Sequence, residues 1–140
     1  MTPEQIQLIQ QSYAKVVPIA DQTAQLFYRR LFTTAPEVEA LFHGDMDEQG
    51  RKLMVTLTVV VGGLDKLETI LPAASALAKR HVGYGVRPSH YTPVGKALLW
   101  ALAQGLGAEW TPALAEAWTA AYSALSGFMI EEAYGRGAVA

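Results

Sequence analysis

Apolar residues recur along this chain at intervals of three and four, the spacing of one face of an α-helix. Ile6, Ile9, Tyr13 and Val16 make the first such stripe. Thr2 precedes it as a capping residue, Pro3 suits the first helical position, and Gln5 completes a capping-box pattern. Ala24, Phe27, Tyr28, Leu31 and Phe32 make a second stripe, and Pro36 restarts the chain as a short helix reaching Leu41 and Phe42. After the polar break HGDMDE comes a long third stripe of Leu53, Leu57, Val60, Val61 and Leu64. Its β-branched content would by itself suggest a strand. The 3–4 apolar spacing runs on through it and predicts a helix instead.

Pro72 is expected to open the next helix, with Ala74, Leu77 and His81 on one face and Gly83 and Gly85 ending it. Pro88 and Pro93 start another, striped by Val94, Leu98, Leu102 and Leu106. Thr111 and Pro112 begin the last, with Leu114, Trp118, Ala121, Leu125 and Met129 inward. The pattern predicts an all-α chain of about seven helices with short connections, and a frayed tail at 136–140.

Composition narrows the function classes. A length of 140 residues suggests one domain, 1–140, large enough for a real core. Lys plus Arg number 11 against 13 Asp plus Glu, a net charge of −2, so the basic footprint of a nucleic-acid binder is missing. The absence of cysteine excludes disulfides, thiolate zinc, iron–sulfur ligation and Cys nucleophiles. The N-terminus does not read as a signal peptide, and LMVTLTVVVGGL is too short to span a bilayer, so a cytoplasmic location is expected. Neither a G-x-S-x-G elbow nor a Walker-type loop occurs, and Gly83-Tyr84-Gly85 is too short for a dinucleotide fingerprint. The carboxylates are scattered, and the three histidines lack zinc-ligand spacing.

One constellation remains. His81 follows Leu77 by one helical turn, and the helix stops within a turn of it, so its imidazole should project where the chain bends away. Phe42 ends the short Pro36 helix. Gln49 and Leu53 are four apart near the start of the long helix, and Tyr28 lies on the inner face of the second. One aromatic wedge, two polar groups on apolar surfaces and one imidazole could enclose a flat apolar ligand whose iron is held from one side.

At these residues the sequence resembles the globin family, with its likeness to bacterial single-domain hemoglobins and the globin domain of flavohemoglobins. The matching stretches are LFYRRLF, APEVEALF, QGRKLM, LETILP, KRHVGYGV, SHYTPVG and EAWTAAY, in the family's order and spacing. The resemblance implies a globin fold around a pocket for heme b (iron protoporphyrin IX). His81 matches the proximal histidine on the iron. Phe42 matches the phenylalanine packed on the porphyrin, although a plain core role would bury it equally. Tyr28 and Gln49 match the distal pair, whose task is to donate hydrogen bonds to bound dioxygen. A bond to such a charged acceptor contributes about 1.5–3 kcal/mol. Leu53, Leu57, Leu77, Val86 and Val94 would supply apolar walls. Lys52 either reaches a heme propionate or is simply solvated, and Tyr84 either meets the heme edge or lies on the surface.

Tyr91 matches a tyrosine that, in flavohemoglobins, joins a glutamate of the last helix in tuning the proximal imidazole. The counterpart of that glutamate here is Ala133, and Glu132, one position away, would point about 100° differently. This departure leaves peroxidase-like activity in question. The implied function is reversible binding of dioxygen, and of CO and NO, for oxygen supply, storage or scavenging. The alternative is nitric oxide dioxygenation driven by an external reductase. A heme-free helical interaction module would be the third. The sequence leaves open whether the protein forms a homodimer.

Overall fold

A computed structural model describes residues 1–135. Six α-helices occur there: α1 (Pro3–Val16), α2 (Ala20–Thr34), α3 (Met46–Gly62), α4 (Leu67–Gly83), α5 (Tyr91–Leu106) and α6 (Pro112–Tyr134). Short 3-10 segments precede or follow several of them, at Val17–Ile19, Pro36–Leu41, Pro88–His90 and Gly107–Glu109. Among the described residues there is no strand. The expected tail, 136–140, lies outside the described residues.

The starts of the helices follow from local chemistry. Thr2 and Gln5 bond reciprocally, side chain to backbone, both at 3.1 Å, which satisfies two of the orphan amides of α1. The Thr111 hydroxyl accepts from Leu114 N at 3.2 Å ahead of Pro112, and Asp45 caps α3 through Asp47 N at 2.9 Å. The β-branched run of α3 stays helical because its apolar stripe buries Met54, Leu57 and Val61. Its threonines turn inward on their own helix, Thr56 and Thr58 bonding the carbonyls of Lys52 and Met54.

The short helix expected from Pro36 is a 3-10 segment that delivers Phe42 as its C-cap. One element differs from the sequence expectation. The helix expected to open at Pro72 opens at Leu67, so that Pro72 lies inside it. Proline at this place deprives the Glu68 carbonyl of its helical donor. Both residues are exposed, so water can satisfy that carbonyl and the second turn tolerates the ring.

α2 is the centre of the packing, pressed on α5 and α3, while α4 lies on α6 and α1 on α6. Polar ties cross the main core: Tyr13 donates to the Met54 carbonyl at 3.0 Å, and Trp118 Nε1 donates to Ser12 Oγ at 3.0 Å. A second, smaller core of Ala74, Ala78, Tyr91 and Met129 joins α4, α5 and α6. No helix among the described residues is long and apolar enough to cross a membrane.

Candidate functional site

α2 and α3 approach closely where Ala24 meets Gly50. A Cβ added to Gly50 would sit 3.1 Å from that of Ala24. The approach lets the Tyr28 hydroxyl donate to the backbone carbonyl of Gln49 at 3.3 Å, long for an O–H···O bond. Burial pushes the Tyr28 phenol up to about 12, so it stays a donor at neutral pH. Its ring lies 4.8 Å from Phe27 and 5.3 Å from Phe42, both edge-on, and Phe32 closes the group at 5.4 Å from Phe42. Leu53, Leu57 and Val94 belong to the same core. A cavity of about 420 Å³ opens beside them between α2 and the start of α3. It is lined by Tyr28, Phe32 and Gly50 with the charged side chains of Arg29, Asp47 and Arg51, and it does not include His81.

His81 lies in the last turn of α4, half-buried. Its Nδ1 is 2.8 Å from the Leu77 carbonyl. A carbonyl can only accept, so Nδ1 carries the proton and the neutral ring presents its lone pair at Nε2. Burial lowers the His81 pKa below the ordinary value of 6.5; the Leu77 bond opposes this and the Arg80 charge adds to it. Leu77 and Val86 pack on the second core with Tyr91, whose ring faces the imidazole at 6.5 Å with 27° between planes. The Tyr91 hydroxyl is buried without a partner, alone in this among the described residues. Burial pushes that phenol up to about 12, and the nearby Tyr134 phenol adds to the rise.

The structure therefore gathers the expected residues into two groups: Tyr28, Phe42, Gln49, Leu53, Leu57 and Val94 in one, and Leu77, His81, Val86 and Tyr91 in the other. The groups adjoin at Gly85, whose φ of +89° carries the chain round beyond His81. A Cβ there would be 3.3 Å from Leu41, next to Phe42. Two expected residues stand aside. Lys52 lies on the solvated face of α3, 3.6 Å from Glu48, and takes part in neither group. Tyr84 is 60% exposed, its ring 6.1 Å from His81. His90 Nδ1 accepts from the Arg87 amide at 3.0 Å, a local loop bond, and His43 is exposed. Glu132 accepts from Ser75 at 2.9 Å on the exposed side of α6, while Ala133 packs on the second core. Glu132 is thus turned to Ser75, and the imidazole bonds the Leu77 carbonyl.

Two residues of α6 that the apolar stripe did not single out also hold this site. Tyr122 donates to the Tyr91 carbonyl at 2.6 Å, and Tyr134 donates to the Val86 carbonyl. The one sequence trace of the first is Gly95: a Cβ there would lie 2.4 Å from the Tyr122 ring, so the ring requires glycine opposite.

Among the described residues no three His, Cys, Asp or Glu side chains converge. One neutral imidazole, beside apolar walls and a buried phenol donor, suits a metal that brings its own equatorial ligands. The residues present fit an iron porphyrin.

Comparison with known proteins identifies the family. The globin family model matches residues 25–129. The chain is 29% identical over 133 residues to a flavohemoprotein of Rhodopirellula baltica and 30% identical over 133 residues to one of Bordetella parapertussis. Each match covers 93% of this chain but 33% of the relative, so the chain spans about a third of the length of these curated relatives. The solved structure of a bacterial globin from Campylobacter jejuni superposes with a TM-score of 0.83 at 29% identity, covering 94% of this chain and 95% of that one. With the family model spanning most of its length, this chain belongs to the globin family.

Proposed function

We propose that this chain, as one globin domain, binds heme b through His81 and reversibly takes up dioxygen, with CO and NO as further ligands, for oxygen supply, storage or scavenging. Heme iron supplies the coordination position for the gas. The rest is done by side chains. The bond from His81 Nδ1–H to the Leu77 carbonyl is the observation that carries the reading, because it aims a neutral nitrogen lone pair, Nε2, away from its own helix. Burial keeps that nitrogen unprotonated at neutral pH and available as a ligand. Phe42, Leu53, Leu57, Leu77, Val86 and Val94 offer the apolar surface that would hold the macrocycle and exclude water. Tyr28, whose bond to the Gln49 carbonyl is long, can exchange it for a more negative acceptor, and the Gln49 side chain would supply a second donor.

The test is a hemin titration of the wild type and His81→Ala, followed by reduction and exposure to dioxygen and then CO. The wild type should give a five-coordinate ferrous spectrum that shifts with each gas and returns on its removal. His81→Ala should lose it and regain it when free imidazole is added. A variant with the wild-type ferrous spectrum would remove His81 from the site.

Similarity to flavohemoproteins supports a second reading, nitric oxide dioxygenation, in which NO, dioxygen and one electron give nitrate. Its electron would come from an external reductase. Sustained nitrate production coupled to a reductase separates it from gas binding alone. In both readings the protein would work in the cytoplasm.

A further inference from the structure

The chain passes from His81 to Tyr91 through a loop whose side chains are mostly exposed. Its course is set by backbone groups. The Val86 amide donates to the carbonyl of His81 itself at 3.0 Å. The Val86 carbonyl accepts from the hydroxyl of Tyr134, the last residue of α6 and 48 positions away. The Val86 peptides are thus tied on one side to the candidate iron ligand and on the other to the final helix. Tyr122, three turns earlier on α6, holds the far end of the loop at the Tyr91 carbonyl.

Tyr91 needs such support from outside. Its hydroxyl has no partner, so no bond of its own fixes the ring, yet that ring faces the His81 imidazole at 6.5 Å. The His81 ring is held on α4 by its bond to the Leu77 carbonyl, whereas the position of the Tyr91 ring against it depends on where the loop between them is held. Among the described residues the Tyr134 hydroxyl is the one side-chain donor from outside the loop that reaches its middle. Its neighbour Ala133 has no polar group to offer, and Glu132 is engaged with Ser75.

We propose that Tyr134 is a positioning residue of the proximal site: by holding the Val86 carbonyl it fixes the loop between His81 and Tyr91, and so sets how the Tyr91 ring packs against the imidazole that would hold the iron. This rests on the heme reading given above. It assigns to a phenol at the end of α6 a role in ligand geometry rather than only in closing a helix. A purely structural bond would affect stability and leave the axial bond unchanged.

The experiment compares wild type and Tyr134→Phe, which keeps the ring and removes the hydroxyl. Resonance Raman spectra of the ferrous, gas-free, heme-loaded proteins read the iron–histidine stretching band directly. The variant should show a shifted or split band. Hydrogen exchange, run on both heme-free and heme-loaded protein, should show the Val86 amide exchanging about tenfold faster, the loss expected for one hydrogen bond. An unchanged band in the variant overturns the proposal, and so does unchanged exchange at Val86. A wild-type protein that takes up no heme overturns the heme reading instead, and the two failures are distinct. Should the variant bind heme poorly, the heme-free exchange comparison still decides whether the hydroxyl holds the loop.

Discussion

Tyr28 and His81 occupy surroundings of different construction. Tyr28 stands among three other aromatic rings inside a core that has twenty-one buried members among the described residues, drawn mostly from α1, α2, α3, α5 and α6. His81 stands at the rim of a core with four, two of them alanines. The first surrounding holds its residues by bulk: Tyr28, Phe32 and Phe42 each pack on the other two, and interiors packed in this way resist displacement. The second holds its residues by a few directed bonds to backbone carbonyls, at Leu77, Val86 and Tyr91. A site built from both would have one side set by volume and the other by hydrogen-bond geometry. The difference predicts which substitutions should hurt stability and which should hurt ligand chemistry.

Stability gives the largest contrast. Leu31 on α2 is fully buried, and Leu31→Ala should cost about 3–4 kcal/mol, within the range for a cavity in a core that cannot collapse. Leu77, half-buried beside His81, should cost about 1–2 kcal/mol as Leu77→Ala, because part of its surface is already in water. Urea unfolding of the heme-free protein measures both. Equal losses would mean that the smaller core is no weaker than the main one and would break the comparison.

The order reverses for ligand chemistry on the Tyr28 side. Removing one hydroxyl there leaves the rings packed but deletes the donor. Tyr28→Phe should speed dioxygen dissociation by roughly ten- to a hundred-fold, the value of a bond to a charged acceptor, about 1.5–3 kcal/mol. Its stability should change little, because the bond it loses to the Gln49 carbonyl is long. Stopped-flow dissociation and thermal melts on the same samples separate the two effects. An unchanged dissociation rate would show that Tyr28 keeps its bond to Gln49 when the gas is bound.

How much of this could be read in the sequence follows the same division. Elements held by periodic burial are legible: the stripes of α1, α2, α3, α5 and α6, with the caps at Thr2 and Thr111, stand where apolar spacing and capping chemistry place them. Gln49 and Leu53 share a helix face because they are four apart, and Leu77 and His81 do likewise. What the pattern could not supply is anything made by a side chain reaching a distant carbonyl. Such bonds have no period, so Tyr134 and Val86, 48 residues apart, leave no trace of their contact. The extra turn of α4 before Pro72 was hidden for another reason. Proline is read as a helix start, and only the exposure of Glu68 and Pro72 explains why the helix can begin before it.

The smallest expected effect concerns the tyrosines of both regions together. Burial raises the pKa of Tyr28 and of Tyr91 to about 12, and raises Tyr122 as well. In the unfolded chain these phenols ionise near the ordinary value of 10. Below pH 10 folded and unfolded chains hold the same phenolic protons, and this part of the stability does not vary. Above it the unfolded chain has lost protons that the folded chain keeps, so the slope of stability against pH is negative, and the contribution is lost as pH rises from 10 through about 12. Melts of the heme-free protein across that window should therefore fall, and Tyr28→Phe should make the fall shallower by one phenol's share. Tyr91→Phe sharpens the comparison further. Its hydroxyl is buried with no partner, so its removal should leave stability at neutral pH unchanged or slightly higher while also flattening the alkaline limb. A loss of stability at neutral pH in that variant would mean that the hydroxyl has a partner in solution, and the proximal side would then be held by one more bond than its geometry indicates.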